Sequence, residues 1–290
     1  MGDLMFKREE KQISDSEAKR NLPHNRKEVF FDLLRYRKMA LFTLSSFVFM
    51  FFIPLAVDLF FFSYLEAAAM INERYEYLFS LIFYSMLIMI PCMIAGFIGL
   101  SGAFYVAKKM VWQEGTVVAY DFFQGIKENW KHGFLNGFTF GIVLFGFVVG
   151  GSYLLINFNT VPIWSGVGIG ALILFYLLFG MVIALNNTQD VYYTNGFFTT
   201  TKNSFCLLGL LHYRILLTYL FTTGVVTALC AINFVTLIIG MVLFAVFNSV
   251  AIILYTLISH YGFDKYINKE HYPDMVNKGL YKLEVNDKEA

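Results

Sequence analysis

Six stretches of this chain stay apolar long enough to cross a lipid bilayer: residues 39–62, 78–104, 133–156, 166–185, 215–230 and 234–259. A hydrocarbon core of about 30 Å takes roughly 20 apolar residues in helical form. No water there can satisfy backbone N–H and C=O groups, so such stretches close their hydrogen bonds internally as helices. The composition agrees, with 58% hydrophobic residues, 15% charged residues and a mean hydropathy of +0.60. A soluble domain sits nearer about 45–50% apolar and about 25% charged. The fifth stretch is the shortest of the six.

All but one of the 22 Lys and Arg residues fall on one side of this alternation. A cationic segment ending at Arg35, Arg37 and Lys38 precedes the first span. Lys108, Lys109, Lys127 and Lys131 lie between the second and third, and Lys202 and Arg214 between the fourth and fifth. Lys265, Lys269, Lys278, Lys282 and Lys288 follow the sixth. The other side keeps only Arg74, beside Glu66, Glu73 and Glu76. The positive-inside rule then places both termini in the cytoplasm, which requires an even number of spans. Trp112 and Trp130 flank the first cytoplasmic connection and Trp164 sits in the external turn 157–165, at the headgroup levels that indole rings favour. Ala67, Ala68 and Ala69 look like a cleavage site after the first span, but that span is longer than a signal h-region and follows a long charged tail.

The expected fold is an all-α membrane protein of about six transmembrane helices, with a membrane domain over residues 29–270. Charged cytoplasmic tails occupy 1–28 and 271–290; poor in core residues, they are expected to be disordered. The net charge of +1 points to no nucleic acid or acidic partner. Cys92, Cys206 and Cys230 lie in or beside apolar stretches without metal or disulfide spacing.

Three short segments lead into spans in the same way: FFDLLR at 30–35, FFQGIK at 122–127 and FFTTTK at 197–202. Each has paired Phe and a cation four residues after the second ring. In the second, Phe122, Phe123, Ile126 and Trp130 share one helical face, with Gln124, Lys127, Glu128 and Lys131 opposite. Such a helix lies in the interface with its rings in the acyl boundary and its Lys snorkelling outward. The reading is three interfacial elbows, each followed by a two-helix hairpin. Coincidence is its competitor in a chain with 33 Phe.

Few residues carry chemistry. Asp58 is the one acid inside an expected span, near its outer end where it reaches the interface. The run Asn186, Asn187, Thr188, Gln189 and Asp190 ends the fourth span; it either satisfies backbone groups at a helix end or binds a headgroup or partner. His132, His212 and His260 sit at cytoplasmic helix ends without metal spacing, so they read as interfacial residues. Gly96, Gly99 and Gly102 line one side of the second helix. Gly133, Gly137 and Gly141 recur every four residues in the third, a spacing that lets helix backbones approach closely. Pro54 and Pro91 are candidate kinks. No GxxxxGK[ST], HExxH or GxSxG motif occurs.

Residues 91–137, PCMIAGFIGLSGAFYVAKKMVWQEGTVVAYDFFQGIKENWKHGFLNG, carry a more specific pattern. Pro91, Ala95, Gly96 and Tyr105 are followed by the basic pair Lys108 and Lys109, then Glu114. An aspartate–aromatic–aromatic box, Asp121, Phe122 and Phe123, precedes Lys127, Asn129, Trp130 and Lys131. In this the chain resembles the YesL-like family of bacterial integral membrane proteins of unknown function. The remaining spans match that family only in hydrophobic character, and the first hairpin, from about residue 51 to 90, is longer than its usual form. The resemblance implies a multi-pass protein of the bacterial cytoplasmic membrane. It also implies an accessory role in sugar uptake, because members often lie beside genes for ABC-type carbohydrate importers. It supplies no catalytic residues.

Read on physical grounds, Asp121 caps the elbow helix, Lys127 and Lys131 meet anionic headgroups, and Trp130 anchors the ring level. The expected function is a non-enzymatic accessory or interaction protein that needs no cofactor. Its partners are the bilayer and, from the resemblance, permease subunits of a carbohydrate ABC importer; self-association is left open. The alternative is an independent small-molecule transporter or channel, whose midplane polar residues would be chiefly Thr139, Asn248 and Ser249. A lipid-directed enzyme is least favoured, since no acid, base or metal set clusters at one depth.

Overall fold

A computed structural model describes residues 22–72 and 77–281, and every regular element among them is helical. A short helix α1 (Arg26–Tyr36) precedes α2 (Lys38–Ile71), α3 (Leu78–Val111), α4 (Val118–Ile156) and α5 (Pro162–Tyr192). Next, α6 (Phe197–Tyr219) runs through one π-helical turn (Leu220–Gly224) into α7 (Val225–Ile232). Then α8 (Phe234–Phe263) leads into a second π-helical turn (Asp264–Asn268). Six helices, counting α6 through α7 as one, are long and apolar enough to cross a membrane. Asn233 alone separates α7 from α8: its side chain accepts from the Thr236 N–H while Thr236 reaches back, closing a capping box.

These helices outrun the lipid. At 1.5 Å per residue the 34 residues of α3 extend about 51 Å and the 39 of α4 about 58 Å, against a core of about 30 Å. Each expected span is therefore the middle of a longer helix. Pro54 and Pro91 lie within unbroken α2 and α3.

Only the first elbow is a helix of its own, α1, which breaks at Arg37; the second and third are the opening turns of α4 and α6. The local pattern nevertheless recurs. In each pair the second Phe is the more exposed, at 64% for Phe31, 55% for Phe123 and 87% for Phe198. In each, the two rings meet edge-on at 5.5, 5.5 and 5.8 Å respectively.

Helix α3 is the hub, packed on α2, α4, α5 and α8, and its contact with α4 is the most extensive in the bundle. Glycines set that contact. A Cβ on Gly137 would lie 2.7 Å from Ile94 Cα, and one on Gly133 would lie 2.9 Å from the Phe97 carbonyl oxygen. Gly141 continues the seam against Ile90. Lipid offers helices no hydrophobic drive to associate, so close backbone approach and dispersion carry the packing. Gly96 and Gly99 do not share a partner with Gly102: the first two face the rings of Phe52 and Phe51 on α2, and Gly102 faces the Phe122 carbonyl of α4.

The first and last spans are joined deep in the bundle. Ser45 Oγ donates to Ser249 Oγ at 2.8 Å, and Asn248 Nδ2 donates to the Ser45 and Phe244 carbonyls. Both Asn248 and Ser249 are buried in this α2–α8 contact.

Candidate functional site

Nearly all the polar chemistry gathers at the cationic end of the bundle, in three connected parts. The first is the turn between α3 and α4. Asp121 is 2% exposed and sits 2.6 Å from Lys109 Nζ; its other oxygen accepts from the Val117 N–H at 2.8 Å. Asp121 thus does cap α4, but by reaching back one turn from inside the helix. Phe122 is fully buried between Phe47 and Phe51, at ring distances of 5.2 and 5.8 Å, and so does not lie in the acyl boundary. The residues that do face outward are Phe123, Lys127, Glu128, Trp130 and Lys131, with Lys131 Nζ 5.9 Å from the Trp130 ring. Asn129 spends its amide on the Gly125 carbonyl.

The second part is the run 186–190, which forms the last helical turns of α5 and is buried on every side. These side chains mostly do not satisfy helix-end backbone groups. Asn136 of α4 donates to Asn187 Oδ1 at 3.1 Å and to Asp190 Oδ2 at 2.8 Å. Asn186 Nδ2 donates to Asn136 Oδ1 and to Thr201 Oγ1 of α6. Gln189 pairs with Ser204 of α6, and Thr188 with Ser259 of α8. Five consecutive polar residues fit a helix here because three neighbours surround it. His132, partly buried on α4, brings Nδ1 within 3.0 Å of Asp190 Oδ1, an ion pair when the ring is protonated. Lys108 Nζ caps the end of α5 by donating to the Val191 carbonyl, under the rings of Trp112 and Tyr192.

The third part is a clasp between the two ends of the chain. His260 is wholly buried rather than interfacial. The Trp112 indole can only donate, so His260 Nε2 accepts its N–H at 2.8 Å. His260 Nδ1 faces both Arg26 Nη2 at 2.6 Å and Asp264 Oδ2 at 3.1 Å. Arg26 donates to the same oxygen at 2.9 Å and to the Lys278 carbonyl at 2.9 Å. Lys278 Nζ lies 3.6 Å from the Trp112 ring centre and 2.9 Å from Glu114. Gly279 takes φ +84°, where a Cβ would meet Trp112 Cα at 2.8 Å. The Tyr281 N–H closes onto the Pro23 carbonyl at 2.9 Å. Residues 22–28 and 271–281, expected to be disordered, are therefore packed; the tails beyond them lie outside the described residues. Tyr193 donates to Asn268, and burial, reinforced by Asp264, pushes its hydroxyl well above the usual phenol range.

One histidine and one acid stand apart from these parts. His212 is exposed, as an interfacial residue would be. Asp58 is buried between α2 and α3 and accepts from Ser85 at 3.3 Å.

The structure brings Asn186, Asn187 and Asp190 together with Asn136 and His132, and keeps them apart from the Asp121–Lys109 pair on the first turn of α4. Asn136, the pairing of Lys109 with Asp121 and that of Arg26, His260 and Asp264 escaped sequence reasoning. Asn136 alone left a signal, an amide in an apolar span between Gly133 and Gly137. No family model, curated protein or solved structure matches this chain.

Proposed function

We propose that this chain is a non-enzymatic membrane protein that acts by binding a partner at its cytoplasmic end, in association with carbohydrate uptake. The observation that carries the reading is the division of the elbow box. Asp121 and Phe122 are fixed inside the bundle, while Phe123, Lys127, Trp130 and Lys131 stand outward on the flank of the same helix. A surface of rings and cations on a rigid helix suits both a headgroup layer and an acidic protein face. The resemblance of residues 91–137 to the YesL-like family supports a bacterial cytoplasmic membrane location and permease subunits of an ABC importer as the partner. The rival transporter reading draws on the buried polar junction around Asp190. Against it, Asn248 and Ser249 are spent on the α2–α8 contact.

The test is extraction of the tagged chain from native membranes in gentle detergent, followed by quantitative mass spectrometry. Stoichiometric recovery of importer permease subunits, lost in the double variant K127E/K131E, supports the proposal. Recovery of the chain alone, or only as a homo-oligomer, refutes it and makes a reconstituted flux assay the next experiment.

A further inference from the structure

Arg35, Arg37 and Lys38 line one open hollow of about 480 Å³ at the break between α1 and α2, with Tyr36, Met39 and, from the α3–α4 turn, Thr116. Arg37 Nη1 donates to Thr116 Oγ1 at 3.2 Å, so the turn helps to hold that side chain in place. Arg35 Cζ stands 5.4 Å from the centre of the Tyr36 ring. Lys38 opens α2 and is exposed.

No acid lines the hollow, and among the described residues none of the three cations enters an ion pair. Asp32 lines a separate recess of about 190 Å³ with Arg37, out of ion-pair reach. Other cations at this end of the bundle are matched. Arg26, Lys109 and Lys278 face Asp264, Asp121 and Glu114, and Lys108 caps a carbonyl. Three unmatched cations around one concavity repel one another until an anion lies among them. Guanidinium forks fit phosphate oxygens two at a time, and Lys adds a point charge. The volume falls within the range of about 300–1,000 Å³ typical of small-ligand sites.

Position decides the source of the phosphate. The hollow opens where the first span enters the bilayer. Met39 is 78% exposed, and Phe42, one turn beyond Lys38 on the same helical face, is 53% exposed. A ligand with an anionic head and a hydrocarbon tail meets both the cations and this apolar wall. A free phosphate leaves the wall unused. Basic pockets at the cytoplasmic ends of spans suit anionic headgroups for this reason.

We propose that the hollow is a specific site for one anionic phospholipid, with its headgroup phosphate among Arg35, Arg37 and Lys38 and an acyl chain against Met39 and Phe42. The site stands independently of the partner-binding role.

The experiment is native mass spectrometry of the purified full chain in nonionic detergent, titrated with phosphatidylglycerol or with phosphatidylcholine of the same chains. One phosphatidylglycerol per chain should bind saturably, more tightly than phosphatidylcholine by on the order of a hundredfold. That preference should vanish in R35Q/R37Q/K38Q and persist in K202Q/K265Q/K269Q, which removes three exposed cations elsewhere on the same side. The exposed Arg35 can be changed with little risk to the fold, and R35Q alone should weaken binding about fivefold. Equal binding of the two lipids would overturn the proposal. So would equal losses in the two triple variants, which would show a general charge effect, or unchanged binding in R35Q. Displacement of phosphatidylglycerol by millimolar inorganic phosphate would assign the hollow to a free anion and overturn the lipid.

Discussion

Replacing Gly137 with Ala should loosen the bundle through a single methyl group. Its Cβ would stand 2.7 Å from Ile94 Cα and 3.0 Å from the Met93 carbonyl oxygen, both backbone atoms that no rotamer change can move. Carbon atoms settle about 3.5–4.0 Å apart, so α3 and α4 must separate by about 1 Å. A gap of that size forfeits about a quarter to a half of each dispersion contact, each worth about 0.1–0.2 kcal/mol. Over about 30 atom pairs along the seam the loss is about 2 kcal/mol, within the range of about 1–3 kcal/mol for overpacked cores. The control is Gly146→Ala on the same helix, where a Cβ meets nothing within 4 Å. Both variants gain the same helix propensity, up to about 1 kcal/mol, so their difference isolates the clash. Thermal unfolding in detergent should place G137A about 4–8 °C below G146A. Adding G133A to G137A should cost less than the sum of the two, since the helices have already parted. Equal midpoints for G137A and G146A would refute the claim that backbone approach holds α3 to α4.

Other parts of the cationic end give sharp expectations. Asp121→Asn should destabilise by about 2 kcal/mol, and a double-mutant cycle with Lys109→Met should recover part of that as coupling; additive losses would mean the pair is not an energetic unit. Arg26→Gln should raise protease cleavage within residues 271–281 about tenfold, the effect of losing about 1.4 kcal/mol of clasp stability, with cleavage elsewhere unchanged. Tyr193 is held neutral in the fold, so it adds no pH dependence below the ordinary phenol range near 10 and destabilises the fold as pH rises from there towards its elevated value. Tyr193→Phe should flatten part of that alkaline decline, read as midpoint against pH.

The helical skeleton was legible because lipid imposes length and hydrophobicity on every span. The helix ends were not, for one physical reason in several guises. Lys108, Lys109, Asp121 and the polar run 186–190 read as exits from the membrane, yet they continue their helices by pairing with one another. Five polar residues in a row look like a turn unless the helix is known to be enclosed, and enclosure belongs to the neighbours. Phe122 and Phe123 are indistinguishable by type; only the position of Phe47 and Phe51 on α2 decides which ring goes inside. The same holds for His260, whose sequence neighbours give no sign of Trp112, and for Asp58, whose partner Ser85 comes from the next helix.

The contact of Ser45 with Asn248 and Ser249 also sets an order in time. Its two sides are 204 residues apart in the chain. At about 5–20 residues per second, the ribosome delivers Ser249 about 10–40 s after Ser45. Until then the Ser45 hydroxyl must find temporary satisfaction within its own helix, a lipid headgroup or the insertion machinery. Thr43 and Ser46 on the same helix already donate to carbonyls four residues back, the substitute open to Ser45 until α8 arrives. Arrival of the final helix turns the Ser45 hydroxyl to Ser249 and brings the Asn248 amide onto the Ser45 carbonyl.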